Sequence, residues 1–523
     1  MTPTTGDTER GGPRPAAEPL PDRRPGLVLL VMCTGMFLVL LDVTVVNVAV
    51  PAITAGLRTG TAGVQWAVVG YTVALASLLL GGGVLGDRIG HRRVVLAGLV
   101  VFGTASAGCA LAPGTGALVA ARAGQGIGAA LLLPGSIAAI ADAYPDRAAQ
   151  ARALGIWAGV SSLALPAGPL LGGLLVQAFG WRAVFWVNPP VVTPCVIGVL
   201  AWVRAAHPRQ PRQARQPRQA RQPRQARQLD AAGLGLATLG LAAAVYAVIA
   251  AGGAGSPPAV AAAAGVAAVA VTGFVRAERR VASPLLPPSL FADRAFGAAN
   301  GGALVMNMTC NGLLFLLTRY LQSVLGYSAL TAGLMMLPLF APMAVIAPLA
   351  GRVTARYGPR PAMFAGAAVS AAGQLCLLAV TPAAGYLRLL PALLGVGLGA
   401  GLFAVPAVTA AIRAVPPERS GLASGVNNTA RQAGTALGVA IFGALAGSPA
   451  HTHHFVAVTR GLGIGAAILW VAAAALTAAG LKPRRSRSFP LPRQAPGARG
   501  RRPWHPTRRA PGAAGRRRGR AGC

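Results

Sequence analysis

The sequence predicts an all-α polytopic membrane protein of about fourteen transmembrane helices, two six-helix bundles with two helices inserted between them. Three observations predict it. Hydrophobic residues make up 54% of the 523 residues and charged residues 11%, against about 25% charged in a soluble domain. Apolar runs of about 18 residues or more recur along the chain, each long enough to cross hydrocarbon. No stretch alternates apolar and polar residues at period two, as the strands of a membrane barrel do. The net charge of +35 is concentrated in alternate loops. That pattern marks cytoplasmic loops and argues against a nucleic-acid partner.

Span 1 is read at about residues 26–50 and contains Asp42 and Asn47. Of the twelve acids in the chain, the other eleven fall in polar segments or loops, so Asp42 alone lies within a span. A carboxylate in hydrocarbon is costly, and such an acid marks a functional position. Residues 1–25 are polar and Pro-rich, and read as a disordered cytoplasmic N-terminus without a cleavable leader. Span 2, about 62–84, carries Gln65, Trp66, Tyr71 and Thr72, polar groups suited to a cavity wall. The turn at 83–93 holds Gly83, Asp87, Arg88, Gly90, His91, Arg92 and Arg93. Its glycines permit a tight connection and its arginines hold it in the cytoplasm.

Span 3 is about 94–112. Span 4, about 116–140, contains Leu118, Arg122, Gln125, Gly126 and Gly128. Arg122 in an otherwise apolar helix must face protein or water, and Gln125 and Gly126 lie over the same face. Span 5, about 153–178, carries Gly155, Ala164, Gly168, Pro169, Gly172 and Gly173. Small residues admit a close helix neighbour, and proline bends the span. Trp181 and Arg182 mark the outer interface, and span 6 ends near 203. The first bundle is thus 26–203.

Residues 204–230 repeat a six-residue Pro/Arg/Gln pattern at Pro211, Pro217 and Pro223. With no apolar face this predicts a disordered cytoplasmic linker, its arginines suited to anionic lipid headgroups. Spans 7 and 8, about 231–251 and 258–276, are Ala/Gly-rich and uncharged, and form the inserted pair over 231–276. The second bundle covers 277–481. Asn300, Asn307 and Asn311 share one face of span 9, about 295–318. They read equally as a polar cavity stripe or as interhelical hydrogen bonds. Span 10 is about 330–350, and the turn at 351–360 echoes 83–93, with Ala355 in the place of Asp87. An echo between halves suggests internal duplication.

Spans 11 to 14 are about 361–381, 388–411, 427–447 and 457–481, with Arg431 and Gln432 early in span 13. Arg58, Arg182, Arg319, Arg388 and Arg460 read as the scattered basic residues of outer loops. His451, His453 and His454 also fall in an outer loop; a His cluster can bind metal, but with no Cys or acid nearby they read as a solvated loop, and the singly scattered cysteines have no metal-ligand spacing. Residues 482–523 read as a disordered basic cytoplasmic tail.

Together these motifs resemble the major facilitator superfamily, and within it the fourteen-span drug:proton antiporters. The turn at 83–93 resembles the superfamily's signature between spans 2 and 3. Leu118, Arg122, Gly126 and Gly128 resemble its span 4 motif. Gly155, Gly168, Pro169, Gly172 and Gly173 resemble the antiporter motif, and the Asp42 segment the span 1 motif of the fourteen-span branch. Ala164 replaces a glycine of the span 5 pattern, and His91 stands where Arg or Lys is usual.

The resemblance implies a monomer in the plasma membrane with both termini cytoplasmic. It implies efflux of small amphipathic drugs or antibiotics by alternating access, driven by the proton gradient without a cofactor. It further implies proton coupling at Asp42 and Arg122, and a cytoplasmic latch from Gly83, Asp87, Arg88, Gly90 and Arg92. A cavity would use Asn47, Gln65, Tyr71, Asn300, Asn307 and Asn311. Two rivals remain, a proton-coupled importer of a small metabolite and a polytopic membrane enzyme. The enzyme would need a cluster of acid, His or Cys at the membrane surface, which the sequence does not show. One acid in the spans predicts one proton per cycle, and with it neutral, zwitterionic or singly cationic substrates.

Overall fold

The computed structural model describes residues 24–203, 230–281, 284–382 and 385–481. The expected linker up to 229, the tail from 482, and residues 1–23 lie outside the described residues. Among the described residues fourteen long helices form and no strand does. They are α1 (Pro25–Leu57), α2 (Thr61–Ile89), α3 (His91–Ala110), α4 (Thr115–Ala143), α5 (Arg147–Phe179), α6 (Ala183–Trp202) and α7 (Ala231–Gly253). Then follow α8 (Pro257–Arg280), α9 (Arg294–Val324), α10 (Ala329–Tyr357), α11 (Pro359–Ala379), α12 (Tyr386–Arg413), α13 (Ser420–Ala446) and α14 (Thr452–Gly480). The protein is a multi-pass membrane protein.

All but α13 are apolar enough to span a membrane by length and composition. Asn427, Asn428, Arg431 and Gln432 lie on α13. That helix packs on α9, α2, α12, α14 and α7, and a helix shielded by protein need not be apolar all round.

Several helices outrun the expected spans. Helix α1 continues past 50 to Leu57, and α13 begins at Ser420 rather than near 427. Glu278, Arg319 and Arg460, read as loop residues, lie in helices. Each finds a partner there, so the helix need not stop where the apolar run does. Glu278 accepts from Leu286 N at 2.9 Å, Arg319 Nη1 donates to Gly447 O at 3.0 Å, and Arg460 Nε donates to Val380 O at 2.6 Å. Asp87 and Asp142 fall in the last turns of α2 and α4. Asp146, Asp230 and Asp293 cap α5, α7 and α9, each accepting from a backbone N–H of the first turn.

The first six and last six helices pair in the same scheme. Helix α1 packs on α5, α2 and α3 on α4, and α3 on α6. Correspondingly, α9 packs on α13, α10 and α11 on α12, and α11 on α14. The turns after α2 and α10 match in backbone as well. Gly90 and Gly358 adopt φ of 93° and 87°, a region that favours glycine. Contacts between the halves run mainly along α2–α13 and α5–α10, with α1 beside α9. Helix α7 lies against α2 and α13, and α8 packs on α7.

One end of the bundle, marked by the α1–α2 turn at Arg58, is tied across the halves. Gln65 Nε2 donates to Val439 O at 3.1 Å and Ala440 O at 2.9 Å. Arg319 Nη2 donates to Thr61 Oγ1 at 3.2 Å, and Gln322 Nε2 to Val48 O at 3.0 Å. The opposite end carries the α2–α3 turn at Gly90.

Candidate functional site

Two polar features lie deep in this body. The first is a charge network inside the first six helices. Arg122 on α4 is 1% exposed and forms an ion pair with Asp42 on α1, itself 3% exposed. Taking either charge out of water alone would be prohibitive, so each position depends on the other. Gln125, on the same face of α4, joins the pair. Arg122 Nη1 donates to Gln125 Oε1 at 2.7 Å, and Gln125 Nε2 donates to Asp42 Oδ1 at 3.1 Å. The same amide donates to Ser106 Oγ on α3 at 2.7 Å, and Asn188 on α6 reaches that hydroxyl at 3.2 Å. Arg122 Nε donates to Ala67 O on α2 at 2.9 Å, and the guanidinium lies 4.6 Å from the centre of the Tyr71 ring. Five helices therefore meet in one network around the Asp42–Arg122 pair. A buried network of this kind holds only while its members are satisfied.

The second feature is a cavity between the halves, with about 750 Å³ of atom-free space including its mouth. Helices α1, α5, α10 and α12 give it mainly apolar walls, such as Leu40, Leu165, Phe340 and Met343. Its polar groups come mainly from the second half: Asn307 and Asn311 on α9, and Arg431, Gln432 and Thr435 on α13. Val43 and Thr44 line the cavity, while Asp42 beside them faces the charge network.

The other residues singled out from sequence are placed as follows. Asn307 and Asn311 line the cavity, and Asn311 also donates to Thr435 Oγ1 at 3.2 Å. Asn300 instead accepts from Asn427 Nδ2 at 3.2 Å, so the stripe on α9 serves both readings. Asn47 donates to Val43 O at 2.8 Å within α1, Gln65 ties the Arg58 end, and Tyr71 underlies Arg122. None of these three lines the cavity.

Gly168 and Gly172 seat α5 on α1. A Cβ at Gly168 would collide with the Thr44 hydroxyl, and one at Gly172 would lie 3.1 Å from Val45 O. Gly173 faces the other half, where a Cβ would meet Leu330 Cα at 2.6 Å; Gly333 of α10 closes on the Pro169 carbonyl of the same seam. Gly155 has open space around it. In the turn after α2, Asp87 is 3.8 Å from His91, with its side chain 76% exposed, and Arg92 donates to Leu200 O on α6 at 2.7 Å. A Cβ at Gly83 would come no closer than 3.9 Å to a neighbour.

Comparison with known proteins fits this geometry. The model of the Major Facilitator Superfamily matches residues 32–439. The chain belongs to the major facilitator superfamily. It is 34% identical to the multidrug resistance protein Stp of Mycobacterium tuberculosis over 423 residues, covering 80% of this chain and 75% of that one. It is also 34% identical to the tetracenomycin C resistance and export protein of Streptomyces glaucescens over 429 residues, 81% and 76% of the two chains. Its fold is similar to the crystal structure of a bacterial homologue of the human lysosomal transporter Spinster in an inward-facing, unoccupied conformation. That match has a TM-score of 0.59 at 18% identity and covers 87% of this chain and 96% of that one. The chain is accordingly a transporter rather than an enzyme.

Sequence reasoning missed Thr44, Arg431, Gln432 and Thr435 as polar residues of this transporter's cavity, and Arg431 is the charged one. Arg431 was expected near the entrance of span 13, amid Asn427, Asn428 and Gln432. With α13 starting at Ser420, Arg431 falls well inside the helix and on the cavity wall. Ser106 and Asn188 were also missed as network members, because isolated neutral polar groups are common in spans.

Proposed function

We propose that this transporter exports small amphipathic compounds, antibiotics among them, in exchange for protons. The observation that carries the reading is the position of Asp42. It is paired with Arg122 in a buried network, while its neighbours Val43 and Thr44 line the central cavity. Protonating Asp42 removes the charge that holds Arg122 and lets α1 change its seat against α4. The same turn of α1 forms the cavity wall and packs its Thr44 on Gly168 of α5. Proton occupancy and cavity shape then share one mechanical element. Coupling through it is reciprocal, so substrate also biases the proton.

The names of the relatives support export as the direction. Arg88, Arg92 and Arg93 at the Gly90 end, against Arg58 alone at the opposite turn, support a cytoplasmic Gly90 end by the positive-inside rule. In that orientation both termini are cytoplasmic, and the structure is sealed toward the outside by Gln65, Arg319 and Gln322. The reading places the protein in the plasma membrane as a monomer among lipids, driven by the proton gradient, with no bound cofactor. The turn at 83–93 then latches the cytoplasmic side in the alternate state.

The test is Asp42→Asn beside wild type at matched membrane levels in an efflux-deficient host, with an antibiotic panel and everted vesicles. We expect the variant to lose resistance and to take up drug no faster when vesicles are acidified inside. Wild-type resistance and proton-driven uptake in the variant would reject the role of Asp42. Uptake by wild type only under the opposite gradient would make the protein an importer.

A further inference from the structure

We propose that Arg431 is the recognition site for an acidic group on the substrate, so that the cavity selects amphipathic organic anions, or zwitterions bound through their acid. The proposal rests on the export reading and names its substrate class. Among the described residues, no carboxylate lies within ion-pairing distance of Arg431, and its Nε is buried without a hydrogen-bond partner. The cavity wall contains no acid. The one carboxylate deep in the neighbouring helices, Asp42, is committed to Arg122 and faces away from the cavity. A guanidinium placed between helices without an anion is costly unless something of opposite charge arrives.

The surroundings suit one ligand chemistry. A guanidinium presents paired N–H donors that match a carboxylate or sulfonate in a two-point contact. Asn307, Asn311, Gln432 and Thr435 lie around the same space and can take further polar groups. The remaining wall is apolar, with Leu40, Leu165, Phe340 and Met343 available to an aromatic or aliphatic body. A cationic drug would bring its charge to a site whose one charged side chain is positive, with no acid to receive it. Of the expected neutral, zwitterionic or singly cationic substrates, which followed from one proton per cycle, this departs from the singly cationic ones.

Three dansyl probes of similar body and different charge test the inference on full-length protein in detergent, with no proton gradient present. They are dansylglycine (anion), its methyl ester (neutral) and dansylcadaverine (cation), read by fluorescence titration. Wild type should bind the anion most tightly and the cation least. Arg431→Gln should weaken dansylglycine roughly ten- to a hundredfold, the scale of a charge-assisted hydrogen bond, and leave the ester within about twofold. Arg431→Lys should restore part of the loss. Wild type that fails to bind the anion, or that binds the cation as tightly, overturns the proposal whatever the variants do. Arg431→Gln with unchanged anion affinity overturns it, as does equal loss of anion and ester without recovery in Arg431→Lys. Anion binding through Arg431 with no proton-driven transport in vesicles would instead sink the export reading and leave this assignment standing.

Discussion

The first six and the last six helices of this transporter repeat one packing scheme and keep their charge in different places. In the first half, Gly168 and Gly172 on α5 seat against Thr44 and Val45 of α1. In the second, Gly434 and Gly438 on α13 sit where a Cβ would collide with the Leu304 and Met308 carbonyls of α9. Both are small-xxx-small seams at four-residue spacing, which bring helix backbones together. The cross-half contacts also repeat: Gly173 of α5 packs on α10, and Gly443 of α13 packs on Gln65 of α2. The charges break the repeat. Helices α1 and α4 carry Asp42 and Arg122, whereas α9 has no acid and α12 carries no charge between Arg388 and Arg413. The second half instead has Arg431 on the cavity. Duplicated packing thus supplies the frame for rocking two halves, and on the reading proposed above the unmatched charges divide proton handling from substrate binding between them.

The sharpest way to break this division is Arg122→Ala. It strands the Asp42 carboxylate among apolar helices, and breaking a buried pair costs about 3–5 kcal/mol. We expect transport to fall to the level of empty membranes, with a lowered melting temperature in detergent. The double variant Asp42→Asn/Arg122→Gln removes both charges. It should recover much of that stability while remaining inactive. If the double variant melts no higher than Arg122→Ala, the pair is not what makes the single change costly. If it transports, the network has no part in coupling.

Next in size are the matched glycine seams. Gly168→Leu and Gly438→Leu each drive a branched side chain into a neighbouring backbone or hydroxyl, and overpacking typically costs about 1–3 kcal/mol. We expect both to cut transport strongly and to lower melting by comparable amounts, because the two seams are equivalent. Loss of activity in Gly168→Leu beside near-normal Gly438→Leu would show that the repeat is one of shape alone. A smaller effect is expected at the tied end. Gln65→Leu leaves the Val439 and Ala440 carbonyls without their side-chain donor, a cost of about 1 kcal/mol. It should loosen the seal at the Arg58 end and, in the proposed orientation, open a cysteine placed there to external maleimide.

Much of this arrangement was legible before any coordinates. Long apolar runs fixed the number of helices, and a charge inside such a run is unusual enough that Asp42 and Arg122 stood out. Their pairing was not legible, because it depends on the rotation of α1, and a helix apolar on all sides gives no face to read. For the same reason Asn47 and Tyr71 were expected in the cavity and lie elsewhere. Arg431 was obscured by a boundary: polar neighbours made the start of α13 read as a loop margin, whereas burial against five helices lets a polar stretch remain helical. Helix ends such as those holding Glu278 and Arg319 follow tertiary partners that no local pattern announces.

The smallest expected effect separates the two ends of α5. Gly155 belongs to the same sequence motif as Gly168, yet a Cβ there meets nothing within 4 Å. In this state alanine therefore has room, and replacing glycine in a helix interior contributes about 0.5–1 kcal/mol of stability. Gly155→Ala should melt slightly higher than wild type and transport normally. The repeat adds a further condition. The Arg58 end is closed by α5 lying on α10 at Gly173, and alternating access requires the opposite ends of these two helices to approach when the cavity reverses. Gly155 lies on α5 toward that opposite end, so a bulky residue there should oppose closure without touching the present cavity. Gly155→Leu is expected to bind dansyl probes with wild-type affinity in detergent and to slow transport in vesicles. Normal transport by Gly155→Leu would mean that this stretch of α5 never packs closely during the cycle. Loss of transport with Gly155→Ala would mean that closure leaves no room even for a methyl group, a tighter seam than the one at Gly173.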